Sequence, residues 1–267
     1  MLWTIVLSSF AVSIVLLGAL SIKCKIGWRI GLLSSVCIGF ITALLVSGIH
    51  HTISKLSFLS SVCVEIIILC ALTFFLILLR FFRDPERTVP NCENVILSPA
   101  DGTIRYVHTV EKGKVPVALK KGNPCRLNEL TKTEILYLEA IHVGIEMSVL
   151  DVHVNRAPVK GKIIYQKRTE GKFLSLRKTE SVFENERVTT VIHNGEFKVA
   201  VIQIASRLVR RIVSYLKEGD SVDAGQRIGM IRFGSQVDVI FPRRLNARIH
   251  VRAGDKVKAG ISIIGES

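Results

Sequence analysis

The sequence predicts a membrane-anchored α+β chain, with N-terminal transmembrane helices followed by a soluble domain that is mainly β, an interleaved β-sandwich of barrel-sandwich type. Three observations carry this reading. Mean hydropathy is +0.40 with 49% apolar residues, too apolar for an ordinary soluble domain, yet 36 Lys and Arg face 22 Asp and Glu for a net charge of +14. The two characters separate near residue 80: residues 1–82 hold five basic residues and one acid, and residues 83–267 hold 31 and 21. Beyond that seam, short β-branched runs alternate with Gly and Pro turns. The 185 residues of the second part suffice for one domain with its own core.

Residues 1–22 and 30–54 carry no charge and residues 56–79 carry only Glu65, so three runs reach the roughly 20 residues needed to cross hydrocarbon. A secretory signal is the competing reading of the first run, but MLWTIVLSSF lacks the basic start such a signal needs. Lys23, Lys25 and Arg29 fall in the first loop, His50, His51 and Lys55 in the second, and Arg80, Arg83 and Arg87 follow the third run. That bias puts the large domain, 83–267, on the cytoplasmic side of a cell membrane. Glu65 is either a functional intramembrane carboxyl or one that faces a neighbouring helix.

In the soluble part the strand-like runs are Asn94–Leu97, Gly102–Val110, Ile135–Val143, Gly161–Gln166, Val188–His193, Phe197–Ala205, Arg227–Ile231 and Val237–Ile240. Ser206–Tyr215 fits a short helix with Leu208, Val209, Ile212 and Val213 on one face, or a continuation of the strand before it. Two internal echoes are present. Pro99–Tyr106 is matched 59 residues on by Pro158–Tyr165, and Glu218–Gly225 is matched 35 residues on by Ala253–Gly260 with one residue of slack. The second echo, x-Gly-Asp-x-Val-x-x-Gly, also occurs in biotinyl and lipoyl carrier domains, where its glycines serve tight turns. It implies a fold and not a carrier function.

Cys24, Cys37, Cys63 and Cys70 lie in or beside the apolar runs, and Cys92 and Cys125 in the soluble part, with no CxxC pair. This usage fits a reducing compartment and predicts neither a disulfide frame nor a metal site. The basic residues of 83–267 are scattered and no RNA-binding aromatic motif accompanies them, so no nucleic-acid partner is expected. Anionic lipid headgroups are the simpler partner for a chain with membrane spans.

Four blocks then occur in order: FFRDPER at 81–87, SPADG at 98–102, MSVLDVHVNRAPVKG at 147–161 and RFGSQVDVIFP at 232–242. Together they resemble the phosphatidylserine decarboxylase family, in particular its short bacterial and archaeal branch. The resemblance implies autocatalytic serinolysis, in which Ser235 attacks the carbonyl of Gly234. The chain separates into residues 1–234 and 235–267, and Ser235 becomes a covalent pyruvoyl cofactor. That cofactor would serve as electron sink in decarboxylating a serine phospholipid, phosphatidylserine or archaetidylserine, to the ethanolamine lipid. The residue types suit this: a hydroxyl needs a base to become nucleophilic, and glycine opens its carbonyl to attack.

The family match points to Asp101 and His153 as the catalytic partners of Ser235, although a carboxylate capping its own Asp-Gly turn is a sound alternative for Asp101. His153 alternates with Val152 and Val154 and so lies off their face. Longer family members carry a second histidine three residues on, where this chain has Arg156. Arginine cannot act as a base near neutrality, so Arg156 is expected to clamp the substrate carboxylate or phosphate. His142 is a weaker stand-in for the missing histidine. Arg83 and Arg87 are expected to meet headgroup phosphate, or to pair with Asp84 and Glu86 in the linker. The partners implied are the phospholipid and the two processed chains, and the sequence leaves homo-oligomerisation open. A membrane-tethered β-sandwich adaptor, with Gly234-Ser235 as a plain turn, is the rival reading.

Overall fold

The computed structural model describes residues 2–23, 28–52, 57–91, 94–111, 114–120, 123–126, 130–131, 133, 139–172, 174, 184–206, 211–232, 235–243 and 248–266. It divides into two compact units, residues 1–81 and 82–267.

The first unit holds three helices, α1 (Leu2–Lys23), α2 (Trp28–Thr52) and α3 (Phe58–Phe81). Two stretches, Gly31–Thr52 and Leu59–Phe81, are long and apolar enough to cross a membrane, and Leu7–Ser21 of α1 is apolar but shorter. Small residues bring α1 and α2 together: a Cβ at Gly39 would lie 2.5 Å from Ser13 Oγ, and that hydroxyl donates across the interface to the Ser35 carbonyl at 3.0 Å. Glu65 is buried and faces a neighbouring helix, accepting a hydrogen bond from Ser8 Oγ at 2.8 Å.

The described residues of the second unit are mainly β, with short helical turns at Leu130–Thr131 and at Glu184. Its strands are β1 (Val95–Leu97), β2 (Gly102–Val110), β3 (Lys114–Lys120), β4 (Asn123–Arg126), β5 (Ala140–Met147), β6 (Val154–Arg156), β7 (Gly161–Thr169) and β8 (Arg187–His193), then β9 (Lys198–Ala205), β10 (Arg211–Ser214), β11 (Ser221–Val222), β12 (Arg227–Arg232), β13 (Ser235–Pro242), β14 (Lys256–Val257) and β15 (Ile263–Glu266). Eight form one antiparallel sheet in the order β11-β7-β8-β9-β13-β5-β2-β14, and β10-β12-β6 form a second. The main core lies between them, with Val143, Ile145, Val201 and Val239 from the large sheet meeting Ile212, Ile228 and Ile231 from the small one. Alternate residues of the large sheet, among them Ala200, Ile202 and Ile240, build a separate apolar cluster on its other face.

Two sequence expectations are corrected. Ser206–Tyr215 is no helix where it is described: Arg211–Ser214 is strand β10, paired with β12 from Arg211↔Arg232 to Ser214↔Gly229. The β-branched pair Ile212-Val213 fits the pleat better than a helical turn. The strand expected from Ile135 begins at Ala140, and residues 134–138 lie outside the described part.

The echoes are a structural duplication. Gly219 and Gly254 have φ of 96° and 98°, and Gly225 and Gly260 have 74° and 68°, left-handed values that glycine adopts without strain. Their amides make matching bonds: Gly219 to Ile163 O and Gly254 to Ile104 O, both at 2.8 Å, then Gly225 to Ala157 O at 2.9 Å and Gly260 to Ser98 O at 2.8 Å. Strands β2 and β7 carry a bulge at the same place, Ile104/Tyr106 and Ile163/Tyr165. The sheet order is accordingly palindromic, β11-β7-β8-β9 mirrored by β14-β2-β5-β13, with β9 and β13 adjacent at the centre.

Candidate active site

Strand β13 begins at Ser235, whose backbone pairs with Met147 of β5 on one side and Ala205 of β9 on the other. Gly234 and the Ser235 side chain lie outside the described residues. The turn after β5 bridges the strand ends on either side of residues 233 and 234. Met147 at its start sits opposite Ser235, and at its end the His153 carbonyl accepts from the Ile231 amide at 3.2 Å, in strand β12. Asp151 closes the turn by accepting the Ser148 amide at 2.7 Å, and its carbonyl lies 2.8 Å from His153 Nδ1, which fixes the ring. His153 is fully buried. Burial pushes its pKa down to about 4, against smaller upward pulls from Asp151 and Asp101. The imidazole is therefore neutral near pH 7, the form that can accept a proton.

Asp101 is held beside this turn. Gly102 packs so closely that a Cβ would lie 2.3 Å from the Glu146 carbonyl, next to Met147. The carboxylate accepts three bonds, from Arg87 Nη1 to Oδ1 at 2.6 Å, from Arg87 Nη2 to Oδ2 at 2.8 Å and from the Ala259 amide to Oδ1 at 2.8 Å. Asp101 and Arg83 both act on His153 electrostatically, so a carboxylate and a guanidinium stand near the neutral imidazole.

The three arginines separate in the structure. Arg83 stays with His153. Arg87, 5% exposed, closes its fork on Asp101 and donates to the Ala259 carbonyl, a buried clamp that faces no open surface. Arg156 donates to the Gly225 carbonyl at 2.9 Å, to the Pro85 carbonyl at 3.0 Å and to Asp84 at 3.4 Å. Arg87 and Arg156, expected as substrate clamps, thus both give guanidinium N–H groups to the fold. In the linker, Asp84 and Glu86 pair with Arg227, and Asp84 also with Arg156. His142 stands apart from His153, on β5, with Nε2 2.8 Å from Asp238 Oδ2.

Through the duplication, the position of His153 corresponds to Asn94, Asp101 to Lys160 and Ser235 to Phe197. These three residues line a cavity of about 650 Å³ in the other half of the domain. The same scaffold is thus built twice, with hydroxyl, imidazole and carboxylate at one copy only.

Residues 74–265 match the family model described as phosphatidylserine decarboxylase. The chain belongs to that family. It is a decarboxylase, which sets the adaptor reading aside. Among its relatives, a protein of Methanocaldococcus jannaschii named as an archaetidylserine decarboxylase proenzyme is 43% identical over 74% of this chain and 92% of its own length. A phosphatidylserine decarboxylase proenzyme of Chlorobium chlorochromatii is 38% identical over 73% of this chain and 81% of its own, and one of Carboxydothermus hydrogenoformans is 38% identical over 72% and 80%.

Proposed function

We propose that this decarboxylase processes itself between Gly234 and Ser235 and then converts a serine phospholipid, phosphatidylserine or archaetidylserine, to the ethanolamine lipid. The observation that carries the proposal is the bracketing of residues 233 and 234 by the 147–153 turn, which holds neutral His153 within electrostatic reach of ionic Asp101. The proenzyme names of the relatives support processing.

In the processing step His153 takes the proton of the Ser235 hydroxyl as its oxygen attacks the Gly234 carbonyl. The Gly234–Ser235 amide bond breaks, an ester forms, and the proton passes to the freed amine. Loss of the Ser235 α-proton then cleaves the ester, leaving a carboxylate on Gly234. Water replaces nitrogen at residue 235, which departs as ammonia, and a pyruvoyl group remains on the small chain. A strand that starts at Ser235 and is paired on both sides suits this group, because its end stays in place after the cut. The pyruvoyl ketone supplies an electron sink for the bond electrons released with CO2. His153 then handles the proton that replaces CO2, and Arg83 beside it binds the headgroup anion. The first unit anchors the enzyme as three membrane spans, and the basic bias of the loops places the catalytic unit on the cytoplasmic side.

The test is lipid analysis of cells expressing the wild type or Ser235→Ala. Ethanolamine phospholipid should rise at the expense of the serine lipid with the wild type alone, and the tails of the product identify the lipid class. Equal headgroup ratios in both cultures would refute the assignment.

A further inference from the structure

A second buried polar cluster lies on the face of the large sheet away from the main core. Gln236 and Asp238, alternate residues of β13, are both fully buried. Gln236 Nε2 donates to Tyr106 Oη at 2.9 Å and to Asp238 Oδ1 at 2.7 Å, and Gln236 Oε1 accepts from Arg105 Nη1 at 2.9 Å. Tyr106 Oη donates to Asp238 Oδ2 at 2.9 Å, the oxygen that also meets His142 Nε2. Burial first, and then the charge of Asp238, push the Tyr106 pKa well above its ordinary value, so the hydroxyl keeps the proton it donates. The Tyr106 ring lies over Gly144, where a Cβ would come within 2.4 Å of it.

The other half of the domain is an internal control. The ladders 103↔146↔236 and 162↔193↔198 make Lys198 the counterpart of Gln236, and by the same registers Ala200 stands for Asp238, Thr189 for His142, Val191 for Gly144 and Ile164 for Arg105. Only the tyrosine recurs, as Tyr165. The sheet therefore forms without this network, and the network belongs to the half whose central strand begins at Ser235.

We propose that Tyr106, Gln236, Asp238 and His142 are positioning residues that mount the cofactor-bearing end of the small chain. The inference rests on the proposed processing. Before the cut, residue 235 is tethered through both neighbours; afterwards its one covalent tether is Gln236, the residue this network holds from three sides. The mount thus matters more for turnover than for self-cleavage, since a small displacement of a reacting group costs about tenfold to a hundredfold in rate.

The experiment compares Tyr106→Phe, which removes the bridging hydroxyl and little volume, with Tyr165→Phe, the same change in the other half. The fraction of cut chain, the melting temperature, and kcat and KM on serine phospholipid in mixed micelles are measured, with Gln236→Leu as a second variant. Tyr106→Phe should be cut as fully as wild type, melt normally, keep KM within about twofold and lose about tenfold in kcat, while Tyr165→Phe changes none of these. An unchanged kcat in both folded, cut variants, Tyr106→Phe and Gln236→Leu, overturns the mount. So does a fall in processing, melting temperature and kcat together, which marks a merely structural role. A wild-type chain that stays whole overturns the proposed function itself, and the mount with it.

Discussion

Arg87 closes both ends of its guanidinium on the carboxylate of Asp101, at 2.6 and 2.8 Å, with the pair almost wholly out of water. The linker that follows the helical unit thereby sets the orientation of a carboxylate that acts on His153. Breaking a buried pair by removing one partner leaves an uncompensated charge and costs about 3–5 kcal/mol. Arg87→Ala should lower the melting temperature and slow the appearance of cut chain. Arg87→Lys, which keeps the charge without the fork, should fall between. Guanidinium ion added to folded Arg87→Ala should restore part of the rate. Cutting at the wild-type rate by folded Arg87→Ala would show that Asp101 needs no such holder.

His153 yields a pH prediction. Its pKa is about 4 in the folded chain and about 6.5 when unfolded. Between those values the unfolded chain binds more protons, so this residue's share of stability is fully present above pH 6.5 and is lost as pH falls toward 4. The rate of self-cleavage should likewise be level from pH 8 to 6 and decline only on approach to about 4. A midpoint near 6.5 in a processing time course would place the active base in water and not in the buried turn.

Arg156 is expected to behave as a staple. Its fork joins the Gly225 turn to Pro85 and Asp84, so Arg156→Lys should already lower the melting temperature, since an ammonium cannot span two carbonyls and a carboxylate in one plane. A normal melting curve with a raised KM would instead mark Arg156 as a substrate clamp.

Much of this architecture is legible from residue types. The Gly-Asp repeats announced their turns because left-handed φ demands glycine, and both copies adopt matching values. The blocks single out Asp101 and His153, which lie within electrostatic reach of each other, and Ser235, whose backbone pairs with Met147 where the turn that holds His153 begins. The arginine partners are not legible, because a sequence displays a charge and not what it meets: Arg87 bonds to the carbonyl of a residue 172 positions away. The roles of Gln236 and Asp238 are hidden for a related reason. Polar residues alternating with Val237 and Val239 suggest a strand with one wet face, but here that face is covered and its polar groups satisfy one another.

Topology gives an independent check on the first unit. A reporter fused after Ser267 should signal from the cytoplasm and one inserted near His51 from outside. Signals from the same side would mean that the helices do not cross as three spans.

The central claim is that this chain makes its own cofactor, and the most direct measurement is the intact mass of the purified protein. Two chains are predicted, residues 1–234 and 235–267, the smaller lighter by one ammonia than a peptide with a free N-terminal serine. In Ser235→Ala a single uncut chain is predicted. A small chain with free serine at its end would mean ordinary proteolysis, and an intact wild-type chain would mean no processing; either result contradicts the account.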